Sequence, residues 1–167
     1  MTTRVLFASI LLFAANGYQD DGSREQKASP PAARLPPAAP AALAVDMPSL
    51  PPEELARVLA QAGDKPLLFH VGFKNLYLQA HIPGSEFLGP GSSPAALDRL
   101  RQRVAGLPRT ASIVIYCGCC PFYRCPNVRP AYQVLHDLGF SDAKVLLIPH
   151  DLGKDWVAKG FPVTRGE

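Results

Sequence analysis

Residues 113–132 of the chain read IVIYCGCCPFYRCPNVRPAY, and this stretch contains all four cysteines of the 167-residue protein. It begins with a run of β-branched and aromatic residues, which predicts a buried strand. It ends in a helical pattern that places Ala131, Val134 and Leu135 on one face, with Gly139 after the last turn. A strand that leads through a loop into a helix is typical of α/β folds with a parallel sheet.

The same pattern recurs on both sides of this stretch. Continuous apolar runs at residues 66–71 (PLLFHV) and 143–148 (AKVLLI) predict two more strands that are buried on both faces. Amphipathic patterns at residues 51–63 and 92–106 predict helices, each with proline near its start and glycine near its end. Because helices separate the strands, we expect a central parallel sheet with helices on both faces.

The first 46 residues of the chain have a different composition. Arg4 precedes an apolar run from Val5 to Ala15, and this arrangement predicts a secretory signal peptide over residues 1–17. Residues 18–46 are rich in proline and alanine and predict a disordered linker. The folded domain is expected at residues 47–167. We therefore expect an exported protein, periplasmic or secreted, without a stable membrane span once the signal is cleaved.

The charge pattern excludes one class of partner. The net charge is only +3, and the basic residues are scattered rather than gathered into a stripe. Aromatic residues are not interleaved with them in the way that stacks bases. The sequence therefore predicts no binding of nucleic acid.

The position of the cysteines indicates an anion-binding loop. Cys117 directly follows a predicted strand and precedes a helix, and ligands of open parallel sheets bind at that place. Backbone N–H groups there, including that of Gly118, stabilise a thiolate and an anionic substrate. Arg124 and Arg129 lie in the same loop. We therefore predict Cys117 as a nucleophile and Gly118, Arg124 and Arg129 as substrate-binding residues.

Six segments in order resemble a single rhodanese-like domain, the sulfurtransferase fold. They are PPEELARVL, PLLFHV, HIPGS, IVIYC, RPAYQVLHDLGF and WVAKGFPV, and together they span residues 51–163. HIPGS followed later by a strand that ends in cysteine is the most specific pair. In that family the cysteine after the central strand becomes a persulfide and passes sulfane sulfur to an acceptor. The resemblance implies this role for Cys117, with a small sulfur-containing anion as donor, a thiol acceptor and no cofactor.

The chain also departs from the family pattern. His70 and Gly72 stand where the family has Asp and Arg, and Ala80 stands where glycine is usual. The loop is longer than in the family. Counting back from Arg129 over a loop of ordinary length arrives close to Cys125, which is therefore a second candidate for the catalytic nucleophile.

Other interpretations of the four thiols remain open at the sequence level. Cys119 and Cys120 would serve as auxiliary thiols that resolve a persulfide, or the C-x-x-C spacing of Cys117 and Cys120 would form a redox pair that serves a partner redox protein. The alternative is a non-catalytic module. Its loop would then be closed by disulfides, as is usual in exported proteins, or would bind a soft metal (copper or zinc) or a partner protein. Our assignment includes no metal ligand.

Overall fold

The computed structural model describes residues 47–167. The predicted signal peptide and linker lie outside the described residues. Five parallel strands form one sheet in the order β1-β5-β4-β2-β3. The strands are β1 (Ser49–Leu50), β2 (Leu67–His70), β3 (Ser85–Phe87), β4 (Ile113–Tyr116) and β5 (Ala143–Leu146). Four α-helices connect them: α1 (Pro52–Ala60), α2 (Lys74–Gln79), α3 (Pro94–Val104) and α4 (Val128–Asp137).

The central strand β4 shows why both faces of the sheet are covered. All four of its residues are buried. Ile113 and Ile115 point into a core that includes buried residues of α3 and α4. Val114 and Tyr116 point into a second core, which contains Leu55 of α1 and Trp156. The alternation of side chains along a strand therefore supplies two cores from one apolar run, as expected for a strand that is buried on both faces.

The prediction of a central parallel sheet with helices on both faces is confirmed. The structure also contains elements that the sequence pattern did not predict, namely the strands β1 and β3 and the helix α2. A 3₁₀ turn (Phe122–Arg124) and a π-helical turn (Gly153–Val157) add to these. None of the helices within residues 47–167 is long and apolar enough to cross a membrane.

Parallel pairing brings the ends of β2 and β4 to one edge of the sheet. His70, the last residue of β2, is in register with Tyr116, the last residue of β4. Cys117 follows directly. The cysteine-containing loop therefore lies at the carboxyl edge of the sheet, where open α/β folds bind their ligands.

Candidate active site: the four-cysteine loop

Two backbone hydrogen bonds attach the loop after β4 to the region that follows β5. The N–H of Phe122 donates to the carbonyl of Ile148 at 2.9 Å, and the N–H of Leu152 donates to the carbonyl of Gly118 at 3.0 Å. Gly118 has a φ of +78°, and a β-carbon there would lie 2.9 Å from that of Leu152. Glycine is required at this position both for the left-handed conformation and for the close approach.

Three sulfur atoms meet inside this loop. The Sγ atoms of Cys117, Cys119 and Cys125 all lie within 4.8 Å of one another. The Cys117 and Cys119 sulfurs are 3.1 Å apart, and the Cys119 and Cys120 sulfurs are also 3.1 Å apart. All four cysteines are free thiols in the structure. The geometry therefore allows hydrogen bonding and sulfur exchange between neighbouring thiols without movement of the backbone.

Burial divides the four cysteines into two pairs. Cys117 and Cys125 are 2% and 5% exposed, respectively, and belong to the core beneath α4. Cys119 and Cys120 are half-buried and pack on the outside of that core. An acceptor larger than a small molecule therefore meets the second pair before the first.

Cys125 lies where several hydrogen-bond donors stabilise a negative charge on its sulfur. Its sulfur accepts hydrogen bonds from the Cys117 and Cys120 thiols and from the backbone N–H groups of Asn127 and Val128 at the start of α4. These donors lower the pKa of Cys125 to about 5, although burial opposes the shift. A thiolate at a helix N-terminus also benefits from the helix dipole.

The pKa of Cys117 moves in the opposite direction. The hydrogen bond to Cys125 and burial both raise it, and the contact with Cys119 raises it further. The Cys117 S–H also lies 3.1 Å from the Cys119 sulfur and is placed to donate to it. A thiolate at Cys125 would be the stronger acceptor of the two. These shifts favour the protonated form of Cys117 next to the thiolate form of Cys125. The pKa of Cys120 is also raised, to about 12, chiefly by burial.

Asn127 is a residue of the candidate site that the sequence pattern did not identify. Its side chain is fully buried, and its Nδ2 donates to the Cys117 sulfur at 3.4 Å while its Oδ1 accepts from the N–H of Ser92 at 3.1 Å. An asparagine directly before a helix is a common capping residue, which was the available signal. Here, however, the side chain makes no capping bond and instead fixes the sulfur cluster against the start of α3.

His70 and Gly72, which depart from the family pattern, both contact Cys117. Burial lowers the pKa of His70 to about 4, so the imidazole is neutral at pH 7. Its Nδ1 accepts the N–H of Gly72 at 3.3 Å, and the ring also bonds the backbone of Cys117. A β-carbon on Gly72 would lie 2.8 Å from the Cys117 sulfur. The two residues therefore shape the space around Cys117.

A cavity of about 340 Å³ opens beside the loop. Its walls include His70, Cys117, Gly118, Cys119 and Leu152. Cys125 is not among the lining residues. The cavity therefore borders the sulfur cluster at Cys117 and Cys119, of which Cys119 is the more exposed.

The two predicted arginines lie outside the cluster. Arg124 and Arg129 are exposed, and Arg124 lies over the ring of Tyr123 at 5.9 Å. Both flank Cys125, because Arg124 precedes it and Arg129 lies in the first turn of α4. They supply positive charge on the solvent side of the loop, and their role as substrate-binding residues stays a prediction.

No family model matches the sequence, and no match was found among curated proteins. Solved structures do match. The Alr3790 protein from Anabaena sp. is 19% identical, with a TM-score of 0.54 over 70% of this chain and 92% of that one. The thiosulfate sulfurtransferase from Pseudomonas aeruginosa is 21% identical, with a TM-score of 0.53 over 72% of this chain and 21% of that one. For the single-domain sulfurtransferase from Saccharomyces cerevisiae the identity is 16% and the TM-score 0.50, over 69% of this chain and 92% of that one.

These similarities confirm the rhodanese-like fold that the sequence motifs predicted. At identities near 20% they establish the fold alone, because one fold carries many activities. The chemistry of the cysteine-containing loop is therefore the evidence that bears on function.

Proposed function

We propose that this rhodanese-like domain handles sulfane sulfur, with Cys125 as the residue that receives sulfur from a small anionic donor. The observation that carries the proposal is the position of the Cys125 sulfur. It lies at the start of α4, where it accepts hydrogen bonds from two backbone N–H groups and from the Cys117 thiol, and the Cys119 sulfur also lies within 4.8 Å.

The contacts favour Cys125 over Cys117 as the nucleophile. The thiolate is the reactive form of cysteine, and the structure provides backbone donors for the Cys125 anion. Cys117 matches the family position but is almost completely buried, and hydrogen bonding and burial keep it protonated. In this proposal, Cys117 is a positioning residue that orients the thiolate.

The sulfur-loading step is a displacement at sulfur. With thiosulfate as donor, the Cys125 thiolate attacks the outer sulfur, the sulfur–sulfur bond of the donor breaks, and sulfite leaves with the bonding electron pair. The product is a Cys125 persulfide, which the same backbone N–H groups stabilise as an anion. Arg124 and Arg129 flank Cys125 on the solvent side, so they would attract the anionic donor.

Sulfur uptake by single-cysteine variants tests the assignment. Reduced protein is incubated with thiosulfate, and sulfite release and the mass increment of one sulfur are measured. We expect Cys125→Ser to abolish both, whereas Cys117→Ser retains loading at a lower rate. Loading of Cys125→Ser at the wild-type rate would show that another cysteine carries the sulfur. If the wild type takes up sulfur neither from thiosulfate nor from glutathione persulfide, the proposed function is wrong.

The cluster of three sulfurs also favours a second candidate, a site for a soft metal ion. Thiolates select ions such as Cu(I) and zinc, and Cys117, Cys119 and Cys125 are close enough to bind one ion together. Metal analysis of protein purified under reducing conditions without chelators separates the two candidates. Stoichiometric copper or zinc that blocks alkylation of these cysteines would favour the metal site over sulfur transfer.

A further inference from the structure

We infer that Cys119 is the exit thiol of this site, which takes the sulfane sulfur from Cys125 and presents it to the acceptor in the adjoining cavity. The inference rests on the proposed function, because it concerns what happens after Cys125 has been loaded. It divides the two halves of the reaction between two cysteines, so that sulfur enters at one residue and leaves from another.

The distances place the two cysteines within transfer range. The sulfurs of Cys119 and Cys125 lie within 4.8 Å of each other. A sulfur–sulfur bond is about 2 Å long, so a sulfur atom carried by Cys125 bridges a large part of that gap. Rotation of side chains alone is then sufficient to bring the outer sulfur into contact with Cys119.

The exposure of the cysteines explains why a second thiol is needed. Cys125 is 5% exposed and is not part of the wall of the cavity. Cys119 is half-buried and lines that cavity together with Gly118 and Leu152. A thiol on another protein therefore reaches Cys119 more easily than Cys125.

The other two cysteines fit the exit role less well. Cys117 is as deeply buried as Cys125. Cys120 is half-buried and also bonds the Cys125 sulfur, but it is not among the residues that line the cavity. Among the four cysteines, only Cys119 combines three properties: its sulfur lies within 4.8 Å of the Cys125 sulfur, it lines the cavity, and it is partly exposed. Cys117 shares the first two properties, but it is only 2% exposed.

The transfer step is balanced without an oxidant or a reductant. The proton of the Cys119 thiol moves to the persulfide anion on Cys125, which gives a Cys119 thiolate and a Cys125 persulfide in its S–SH form. The thiolate then attacks the outer sulfur, a new sulfur–sulfur bond forms on Cys119, and the bond to Cys125 breaks. Cys125 leaves as the thiolate that the backbone N–H groups of α4 stabilise, and a stabilised thiolate is a good leaving group.

The sequence offers a direct way to locate the sulfur. Trypsin cleaves after Arg124, which separates Cys125 from the other three cysteines. Residues 110–124 form one peptide, and residues 125–144 form the next, because Pro130 protects the bond after Arg129. Full-length reduced protein is loaded with thiosulfate, alkylated and digested. The one-sulfur increment is then measured on each peptide, and its discharge is followed with cyanide and with reduced thioredoxin as the acceptor.

We expect the wild type to show the increment on both peptides and Cys119→Ser to show it only on the peptide of Cys125. Discharge of this variant to thioredoxin should be slower by about tenfold, whereas discharge to cyanide changes less. Cys120→Ser removes a thiol of similar exposure and is the matched comparison, with a smaller loss expected. Retained loading shows that the variant is folded.

Transfer from Cys119→Ser to thioredoxin at the wild-type rate would overturn the inference, even if Cys125 is loaded normally. An increment that never leaves Cys125 in the wild type would also overturn it. Absence of loading on either peptide would instead reject the proposed function, and the exit role with it. The two failures are therefore distinguishable.

Discussion

Replacement of Gly72 by alanine should damage the site through a single β-carbon. That atom would lie 2.8 Å from the Cys117 sulfur, 2.8 Å from Cε1 of His70 and 2.9 Å from the Cys117 carbonyl oxygen. The first two distances are about 0.6 Å short of the 3.4 Å at which ordinary contact begins. Because two of these atoms belong to Cys117 itself, which is buried, they have little room to move.

The expected cost follows from this overlap. Overpacking a buried site by one carbon lowers the free energy of unfolding by about 1–3 kcal/mol. The backbone of Gly72 also bonds the His70 ring, which in turn bonds Cys117. We therefore expect displacement of Cys117, and slower sulfur loading because Cys117 no longer donates to the Cys125 thiolate.

Urea denaturation and thiosulfate loading measure the two effects, and Gly106→Ala is the matched control. A β-carbon at Gly106 meets nothing within 4 Å. This control should leave the free energy of unfolding unchanged or raise it by up to about 1 kcal/mol, with loading as in the wild type. Equal stability and equal loading rates for Gly72→Ala and Gly106→Ala would refute the reasoning.

Three further predictions concern the residues around the cluster. Asn127→Ala removes the bonds to Cys117 and Ser92, and urea denaturation should show a loss of about 1–3 kcal/mol; a loss below the experimental error would contradict the structural role. The pKa of His70 is lowered from 6.5 to about 4. The unfolded chain therefore takes up a proton as pH falls from 6.5 to 4, and stability should fall by about 3 kcal/mol over that range. This loss should vanish in His70→Phe; an unchanged pH profile would refute it. Arg129 is exposed, so Arg129→Gln should change stability by less than about 0.5 kcal/mol while it raises the KM for thiosulfate; an unchanged KM would remove this residue from the donor site.

The three longest strands and the long helices could be predicted from the sequence, because each has a clear local pattern of apolar residues. The apolar runs of β2, β4 and β5 and the amphipathic patterns of the long helices are visible in the chain alone. The strands β1 (Ser49–Leu50) and β3 (Ser85–Phe87) were missed because they are two and three residues long. Such short strands owe their conformation to pairing with β5 and β2, not to a local pattern.

The sequence identified the loop and its cysteines as the candidate site, but it did not predict which of these residues contact one another. The loop position and the four thiols followed from the sequence. The ranking of Cys117 over Cys125 rested on the order of strand and cysteine, whereas stabilisation of the thiolate depends on which sulfur faces the N–H groups of α4. The bond of Asn127 to Ser92 and the close approach of Gly72 to Cys117 join residues that are distant in the chain, so no local signal could reveal them. The position of Asn127 before α4 indicated a helix cap, and its contact with Cys117 depends on how the loop folds.

The most direct test of the central claim is the pH dependence of Cys125 alkylation. Reduced protein is treated with iodoacetamide for short times between pH 4 and 9, and modification is measured on the tryptic peptide that begins at Cys125. The account predicts a rate that rises with a midpoint near pH 5, because the helix N-terminus and the Cys117 thiol stabilise the thiolate. A midpoint above about pH 8, as in an ordinary cysteine, would contradict it.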